Sequence, residues 1–137
     1  MGEEHGIEEV KRELDKLAKA LQDLRVHSIV LFGSRARGEH LKSSDYDVLI
    51  VAEGFENMSF YEREYLVLSR YRGRLPLEPW CYTPREVVES LERRPRIDIV
   101  DAVEHGMVVY DDGFWKRIRE KYRGRWRMTS YGGVHLE

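Results

Sequence analysis

This 137-residue chain has one cysteine, no long apolar run and almost no net charge. The single cysteine, Cys81, excludes an intramolecular disulfide and is typical of a reducing compartment. No stretch reaches the roughly 18 apolar residues that a membrane helix needs, and the acidic start, MGEEHGIEEV, does not resemble a signal peptide. We therefore expect a cytoplasmic protein that does not cross a membrane.

The formal net charge is only -2, although 35% of the residues are charged. With charges of both signs nearly balanced, the whole protein does not attract a polyanion, so nucleic acid is not a favoured partner and any binding of it must be local.

The length suits one domain and leaves no room for a second substrate-binding domain of ordinary size. We expect this domain over residues 1–124, followed by a basic, aromatic and loosely ordered tail over residues 125–137. Binding of single-stranded nucleic acid or an acidic partner is the alternative for the tail.

The spacing of the apolar residues predicts a small α/β domain. Steps of three and four over Ile7–Leu24 indicate a helix with one packing face. The short β-branched runs VHSIVLF and VLIV indicate strands, and Ser59 and Thr83 each open a capping box that starts a further helix. Strands and helices in this arrangement predict one mixed β-sheet flanked by helices, with the site at one edge.

Local signals add three expectations. Pro79 lacks the N–H group of a sheet ladder, so the strand over residues 75–82 is expected at an edge or a bulge. Asp111 and Asp112 precede a helical pattern, which favours N-capping over a second metal pair. Gly106 suits the left-handed conformation at the end of a helix.

A stripe of large apolar side chains is expected on the helix that follows Ser59. Its members are Phe60, Tyr61, Tyr65, Leu68 and Tyr71. Such a stripe is typical of a core or of a contact between subunits, which leaves a homo-oligomer open. Base stacking is less favoured, because stacking aromatics usually accompany an open basic groove.

The stretch from Val26 to Val51 carries the strongest chemical signal. Its two apolar runs bracket a polar connection, as expected for two strands joined at one end of a sheet. Asp45 and Asp47 begin the second run, and a spacing of two places both carboxylates on the same side of a strand. Two such carboxylates repel unless one is protonated or a cation lies between them, and Mg²⁺ prefers oxygen ligands of this kind. The pair therefore predicts a metal site.

A phosphate site is expected at the end of the first strand. Gly33 lets a ligand approach the backbone closely, and Ser34 adds a hydroxyl where a turn can present free N–H groups. Arg35 and Arg37 follow, and their guanidinium groups are suited to phosphate oxygens. The segment lacks the Lys-Ser/Thr ending of a Walker loop, and GSRARG does not fit GxGxxG, so neither a P-loop nor a dinucleotide fold is supported.

Together these residues resemble the signature of the DNA polymerase beta-type nucleotidyltransferases, and most of all the small minimal nucleotidyltransferases of prokaryotes. The resemblance rests on Gly33-Ser34, ten intervening residues, Asp45-Tyr46-Asp47 and an apolar strand. It implies transfer of a nucleoside monophosphate from an NTP, with ATP the favoured donor, and two Mg²⁺ ions that Mn²⁺ could replace. It also implies a third acid on a neighbouring strand. Glu78 stands at that position, where the family usually has Asp, as a ligand of the catalytic ion or as a base.

The same resemblance implies an acceptor on another protein. Minimal nucleotidyltransferases are similar to antitoxins that pair with HEPN-type RNase toxins, some of which are silenced by attachment of AMP to a tyrosine. We therefore expect transfer of AMP to a hydroxyl group, with a tyrosine of such a toxin as the candidate acceptor. Two alternatives stay open: a catalytically silent antitoxin that only binds its partner, and an enzyme that modifies a small molecule.

Overall fold

The computed structural model of the chain describes residues 6–33, 36, 45–128 and 134–136. In this part of the chain the helices are α1 (Ile7–Ala20), α2 (Phe60–Arg70), α3 (Pro84–Glu92), α4 (Ile97–His105) and α5 (Phe114–Tyr122). The strands are β1 (Val26–Phe32), β2 (Tyr46–Ala52), β3 (Leu77–Tyr82), β4 (Met107–Asp111), β5 (Trp126–Met128) and β6 (Val134–Leu136). Short 3₁₀ turns follow α1 and β2, at Gln22–Leu24 and Glu53–Phe55. No helix within the described residues is long and apolar enough to span a membrane.

The main sheet has four strands in the order β3-β2-β1-β4. Strand β1 is antiparallel to both of its neighbours, whereas β2 and β3 run parallel, so the sheet is mixed. Pro79 lies opposite Val48 on β3, the outermost strand of this sheet. The expected edge position of Pro79 is therefore confirmed, because a residue without an N–H group is tolerated there.

Helices cover both faces of the sheet because the strand residues alternate. Ile29 and Leu31 of β1 pack with α1 and α2 on one face. Val30 and Phe32 of the same strand pack with α3, α4 and α5 on the other. Both faces of the two central strands are therefore buried, which explains their continuous apolar runs. The predicted α/β class is confirmed.

The expected helix starts are confirmed by their hydrogen bonds. The Ser59 hydroxyl accepts from the Glu62 N–H and the Glu62 carboxylate accepts from the Ser59 N–H, at 3.1 and 2.8 Å. Thr83 forms the same reciprocal pair with its own glutamate three residues on. Asp111 and Asp112 accept from the first N–H groups of α5, so they cap this helix as expected.

Gly106 ends α4 in an extended conformation, with φ -70° and ψ 153°, so the expected left-handed cap is wrong. A Cβ atom at this position would overlap the Ala102 carbonyl oxygen and a methyl group of Val30. Glycine is therefore needed for space, where the chain passes close to the sheet, and not for its backbone angle.

Most of the aromatic stripe on α2 is exposed, so the core alternative is wrong, and a contact between subunits stays a prediction. Tyr61, Tyr65 and Leu68 are 80%, 70% and 42% exposed, and Phe60 is also exposed. Helix α2 instead buries the opposite face, with Val67 against the sheet. Of the expected stripe, only Tyr71 is partly buried, and it packs against the core.

Two short strands lie in the described part of the segment after Gly124. Strand β5 pairs antiparallel with β6, with Trp126 opposite Leu136. The Trp126 side chain is buried in the same core cluster as Val103 of α4. Packing thus continues beyond Gly124, where the sequence places the domain boundary.

Candidate active site

The carboxylates of Asp47 and Glu78 lie together at one end of the parallel strand pair. The register of β2 and β3 places Asp47 directly opposite Glu78, and neighbouring residues on paired strands share one face of a sheet. Partial burial, the charge of Asp47 and a hydrogen bond with it raise the pKa of Glu78, and the charges of Asp45 and Glu64 add to this. Negative charge is therefore concentrated at this end of the sheet.

Two contacts fix the Asp47 side chain. The indole Nε1–H of Trp80 donates to Asp47 Oδ1 at 3.1 Å. On the other side, a Cβ atom at Gly33 would overlap Asp47 Oδ2. Gly33 has φ +76°, a conformation that other residues adopt only at a cost. Glycine is thus required for this turn and because Asp47 lies close to the backbone. Both requirements hold whether or not a ligand binds there.

Asp45 lies just before β2 and is exposed. It acts on Glu78 through its charge, but within the described residues no three His, Cys, Asp or Glu side chains are close enough to hold a metal ion. The donor set still fits a hard divalent cation, because Asp47 and Glu78 offer adjacent carboxylate oxygens and crowd each other in its absence. Asp45, two residues before Asp47, is the candidate third ligand.

The remaining phosphate-site candidates, Ser34, Arg35 and Arg37, lie outside the described residues. The structure therefore places Gly33, Asp47 and Glu78 together with Asp45 beside them. The expected roles of all seven site residues stay predictions.

A cleft of about 640 Å³ opens next to these carboxylates. One wall is the end of the sheet and the other is the start of α4. The cleft is lined by Phe32, Gly33, Asp47, Trp80, Pro95, Arg96, Ile97, Asp98 and Asp101. It is large enough for part of a nucleotide, and typical ligand pockets have volumes of roughly 300–1,000 Å³.

Arg96 borders both this cleft and a second pocket of about 550 Å³. Its Nε–H donates to the Tyr82 hydroxyl at 2.8 Å and to Asp98 at 3.3 Å. The guanidinium also stacks over the ring of Phe60, 5.7 Å from the ring centroid. Arg96 is therefore held in place beside the cleft and supplies a positive charge there.

The hydrogen bond between Trp80 and Asp47 was not expected from the sequence. The signal was available, because residues 78 and 80 alternate onto the same face of a strand. Arg96 and Asp101 could not have been found in this way. Arg96 precedes α4 and Asp101 lies within it, and this part of the chain reaches the cleft only through the tertiary fold.

The chain matches a family model described as a nucleotidyltransferase domain over residues 14–106. A curated protein of Methanocaldococcus jannaschii, named as a candidate protein adenylyltransferase, is 42% identical over 70 residues. These cover 50% of this chain and 68% of that protein.

Two solved structures share the fold. One is a toxin–antitoxin complex with AMP-PNP, at TM-score 0.52 and 18% identity, covering 79% of this chain and 82% of that chain. The other is a mutant of the toxin–antitoxin MntA-HpeT, at TM-score 0.51 and 16% identity, covering 79% and 81%. At this identity the similarity supports the fold class alone.

The family match spans well over half of the 137 residues and includes Gly33, Asp45, Asp47 and Glu78. The chain therefore belongs to the nucleotidyltransferase domain family, which confirms the resemblance drawn from its sequence and the expectation that it is a transferase.

Proposed function

We propose that this protein transfers AMP from ATP to a hydroxyl group on a partner protein, and that the reaction requires Mg²⁺. One observation carries the proposal: Asp47 lies opposite Glu78 on the paired strands and lines a cleft that Gly33 also lines. Such paired carboxylates beside a close-approach glycine suit a metal-bound triphosphate.

The donor nucleotide would lie with its β- and γ-phosphates against Gly33 and Ser34. Arg35 and Arg37 would neutralise the phosphate charge, as expected for guanidinium groups beside a triphosphate. In the sequence they come two and four residues after Gly33. The supporting observation is that Gly33 itself lines the cleft.

Asp45, Asp47 and Glu78 would hold two Mg²⁺ ions, with Mn²⁺ as a substitute. Bound there, divalent ions stabilise the charge of the phosphates and of the attacking oxygen. The chain's own contribution is positioning. Trp80 holds one oxygen of Asp47 in place. Glu78 would hold the ion beside the acceptor oxygen or accept the proton of the acceptor hydroxyl.

The transfer balances as a displacement at the α-phosphorus of ATP. A bond forms between the acceptor oxygen and this phosphorus, and the bond to the β-phosphate oxygen breaks. Pyrophosphate leaves with the electron pair, while the hydroxyl proton passes to Glu78 or to solvent. Most of the rate enhancement would come from alignment and charge stabilisation.

A protein acceptor is supported by the name of the M. jannaschii relative and by the toxin–antitoxin complexes that share the fold. We propose a tyrosine of a HEPN-type toxin as the acceptor, so that the chain acts as an antitoxin.

The test mixes the purified protein with Mg²⁺, α-labelled ATP and the protein encoded by the neighbouring gene. Label on a tyrosine of that protein is the expected result, and label on a small molecule would overturn the choice of acceptor.

A second candidate is a binding subunit that inhibits its partner without transferring anything. It is favoured by one observation, the position of Asp45 apart from a complete three-ligand group in the described structure. Asp45→Ala separates the two candidates. If transfer is the function, the variant loses labelling, whereas a pure binding subunit keeps the partner bound and inhibited.

A further inference from the structure

The outward face of α2 combines exposed apolar side chains with one acid. Tyr61, Glu64, Tyr65 and Leu68 recur at steps of three and four residues, so they form one face of the helix. Together with Ser69 they line a shallow groove of about 410 Å³. Large apolar side chains exposed together in this way are typical of a surface that binds another protein.

This face is held in position by the opposite side of the helix. The buried Arg63 guanidinium donates to both oxygens of Glu86, at 2.7 and 3.1 Å, and to the Cys81 carbonyl oxygen at 3.1 Å. The capping box at Ser59 fixes the first turn. Because the helix is already ordered, a partner would bind without a large ordering cost.

Helix α2 approaches the candidate site at the edge of the sheet. Helix α2 packs beside β3, the edge strand that carries Glu78. Glu64 is close enough for its charge to act on both Glu78 and Cys81 of that strand. At the start of α2, Phe60 lies under the guanidinium of Arg96, which lines the cleft. A protein seated on α2 would therefore extend around this edge of the sheet toward the cleft.

We propose that the α2 face binds the acceptor protein and presents its hydroxyl to the site. The inference rests on the proposed transfer to a protein. The matching surface has apolar side chains that fill the groove between Tyr61 and Leu68, and a basic residue that pairs with Glu64. Within the described part of the chain, Glu64 has no cation within ion-pair distance, so this pairing is open to a partner.

A second copy of the chain fits this face less well. Two-fold packing of α2 on α2 would bring the two Glu64 side chains together, with the Glu78 carboxylates nearby. Like charges that face each other across an interface disfavour its formation.

The test compares the double variant Tyr61→Ser/Tyr65→Ser with Tyr110→Ser. Tyr110 is a matched control, because it is an exposed tyrosine on β4, at the far edge of the sheet. Three quantities are measured: calorimetric affinity for the protein encoded by the neighbouring gene, KM for that protein in label transfer, and the Kd of ATP. We expect about tenfold weaker partner binding and a similar rise in KM for the double variant, with unchanged ATP affinity and an unchanged control.

A charge variant checks the chemistry of the partner. Glu64→Lys should weaken partner binding as well, because it places a cation opposite the basic residue, and Glu64→Gln should weaken it less. Both substitutions are on an exposed position and should leave the unfolding midpoint unchanged.

Several outcomes would overturn the inference. These are partner affinity unchanged in the double variant, no binding of the partner to the unaltered protein, and a dimer of the isolated protein that the double variant converts to monomers. If binding is lost in the double variant but no label is transferred even by the unaltered protein, the docking face stands and the proposed activity fails.

Discussion

At the residue scale, the backbone of Gly33 and the carboxylate of Asp47 occupy adjoining space. The positive φ and the position of Asp47 Oδ2 leave no room for a side chain. Trp80 confines the other oxygen of the same carboxylate. The orientation of Asp47 therefore depends on one absent side chain and one indole N–H group.

Gly33→Ala should displace Asp47 and lower the transfer rate at least about 100-fold, since small misplacements at a reacting centre cost that much. It should also lower the free energy of unfolding by about 1–2 kcal/mol, because alanine is strained at this φ. Label-transfer rates and urea denaturation measure the two effects.

Gly124→Ala is the control, because Gly124 also has a positive φ, +87°, but a Cβ atom there meets nothing within 4 Å. This variant should lose stability and keep activity. A Gly33→Ala protein that is merely less stable would contradict the proposed role of Asp47.

Trp80→Phe should lower the transfer rate about tenfold and raise the Mg²⁺ concentration needed for half-maximal rate, because an orienting partner of a ligand is lost. The ring packing against Phe32, at 6.1 Å between centroids, should be retained. Trp126→Phe is the matched control, since in the described structure the Trp126 Nε1 atom has no hydrogen-bond partner. Equal rate losses in both variants would argue against the role of the Trp80 bond.

At the element scale, two polar connections join parts that are distant in the chain. His27 of β1 bonds Asp112 through Nδ1 at 2.6 Å and Glu53 through Nε2 at 2.7 Å. Arg63 joins α2 to the strand and helix that follow it. Both connections depend on charge. The His27 contacts should respond to pH, and the Arg63 contacts to substitution of Glu86.

The His27 contacts predict a loss of stability as the pH rises. Partial burial alone would lower the pKa of His27, but the hydrogen bonds and charges of Glu53 and Asp112 outweigh it, and the net pKa is raised above 6.5. A raised pKa in the folded state means that the protonated ring stabilises the fold fully below the ordinary pKa. This contribution, about 1 kcal/mol or less for so exposed a cluster, disappears as the pH rises through the raised value.

Denaturant titrations from pH 5.5 upward to about pH 9 measure this effect. His27→Gln should show a smaller decrease in the free energy of unfolding over the same range. A decrease of equal size in the variant would place the titrating group elsewhere.

Glu86→Ala should destabilise the protein by about 3 kcal/mol, because it leaves the buried Arg63 guanidinium without its carboxylate. The substitution also removes one half of the capping box at Thr83. Glu89→Ala on the same helix is the control. Its carboxylate is exposed and 4.0 Å from Arg85, so the expected loss is below about 0.5 kcal/mol. Thermal or urea unfolding that shows similar losses would contradict this assignment.

At the scale of the whole molecule, the sequence predicted correctly those features that depend on residues close together in the chain. The two central strands, the capping boxes at Ser59 and Thr83 and the spacing of Asp45 and Asp47 depend on neighbours within a few residues. Helical spacing could not tell which side of α2 faces the sheet. The bonds of Arg63 to Glu86, 23 residues away, show which side is buried.

The cleft could not be predicted from the sequence either, because its two walls come from distant parts of the chain. Its second wall is the start of α4, about 50 residues after Asp47. The exposed α2 face and the buried Trp126 likewise depend on where separate elements meet. Local patterns thus predicted the first wall of the candidate site, and the tertiary fold supplied the second.

The place of β4 beside β1 has a consequence for synthesis on the ribosome. Ser28 and its bonded partner Asp111 are separated by 83 residues, whereas Asp47 and Glu78 pair within the first part of the chain to emerge. We expect the acidic end of the sheet to form before β4 emerges, while one flank of β1 stays uncovered until β4 has been synthesised. That uncovered flank is a point where nascent chains can pair with each other, so yield in cells should depend on elongation speed and on chaperones.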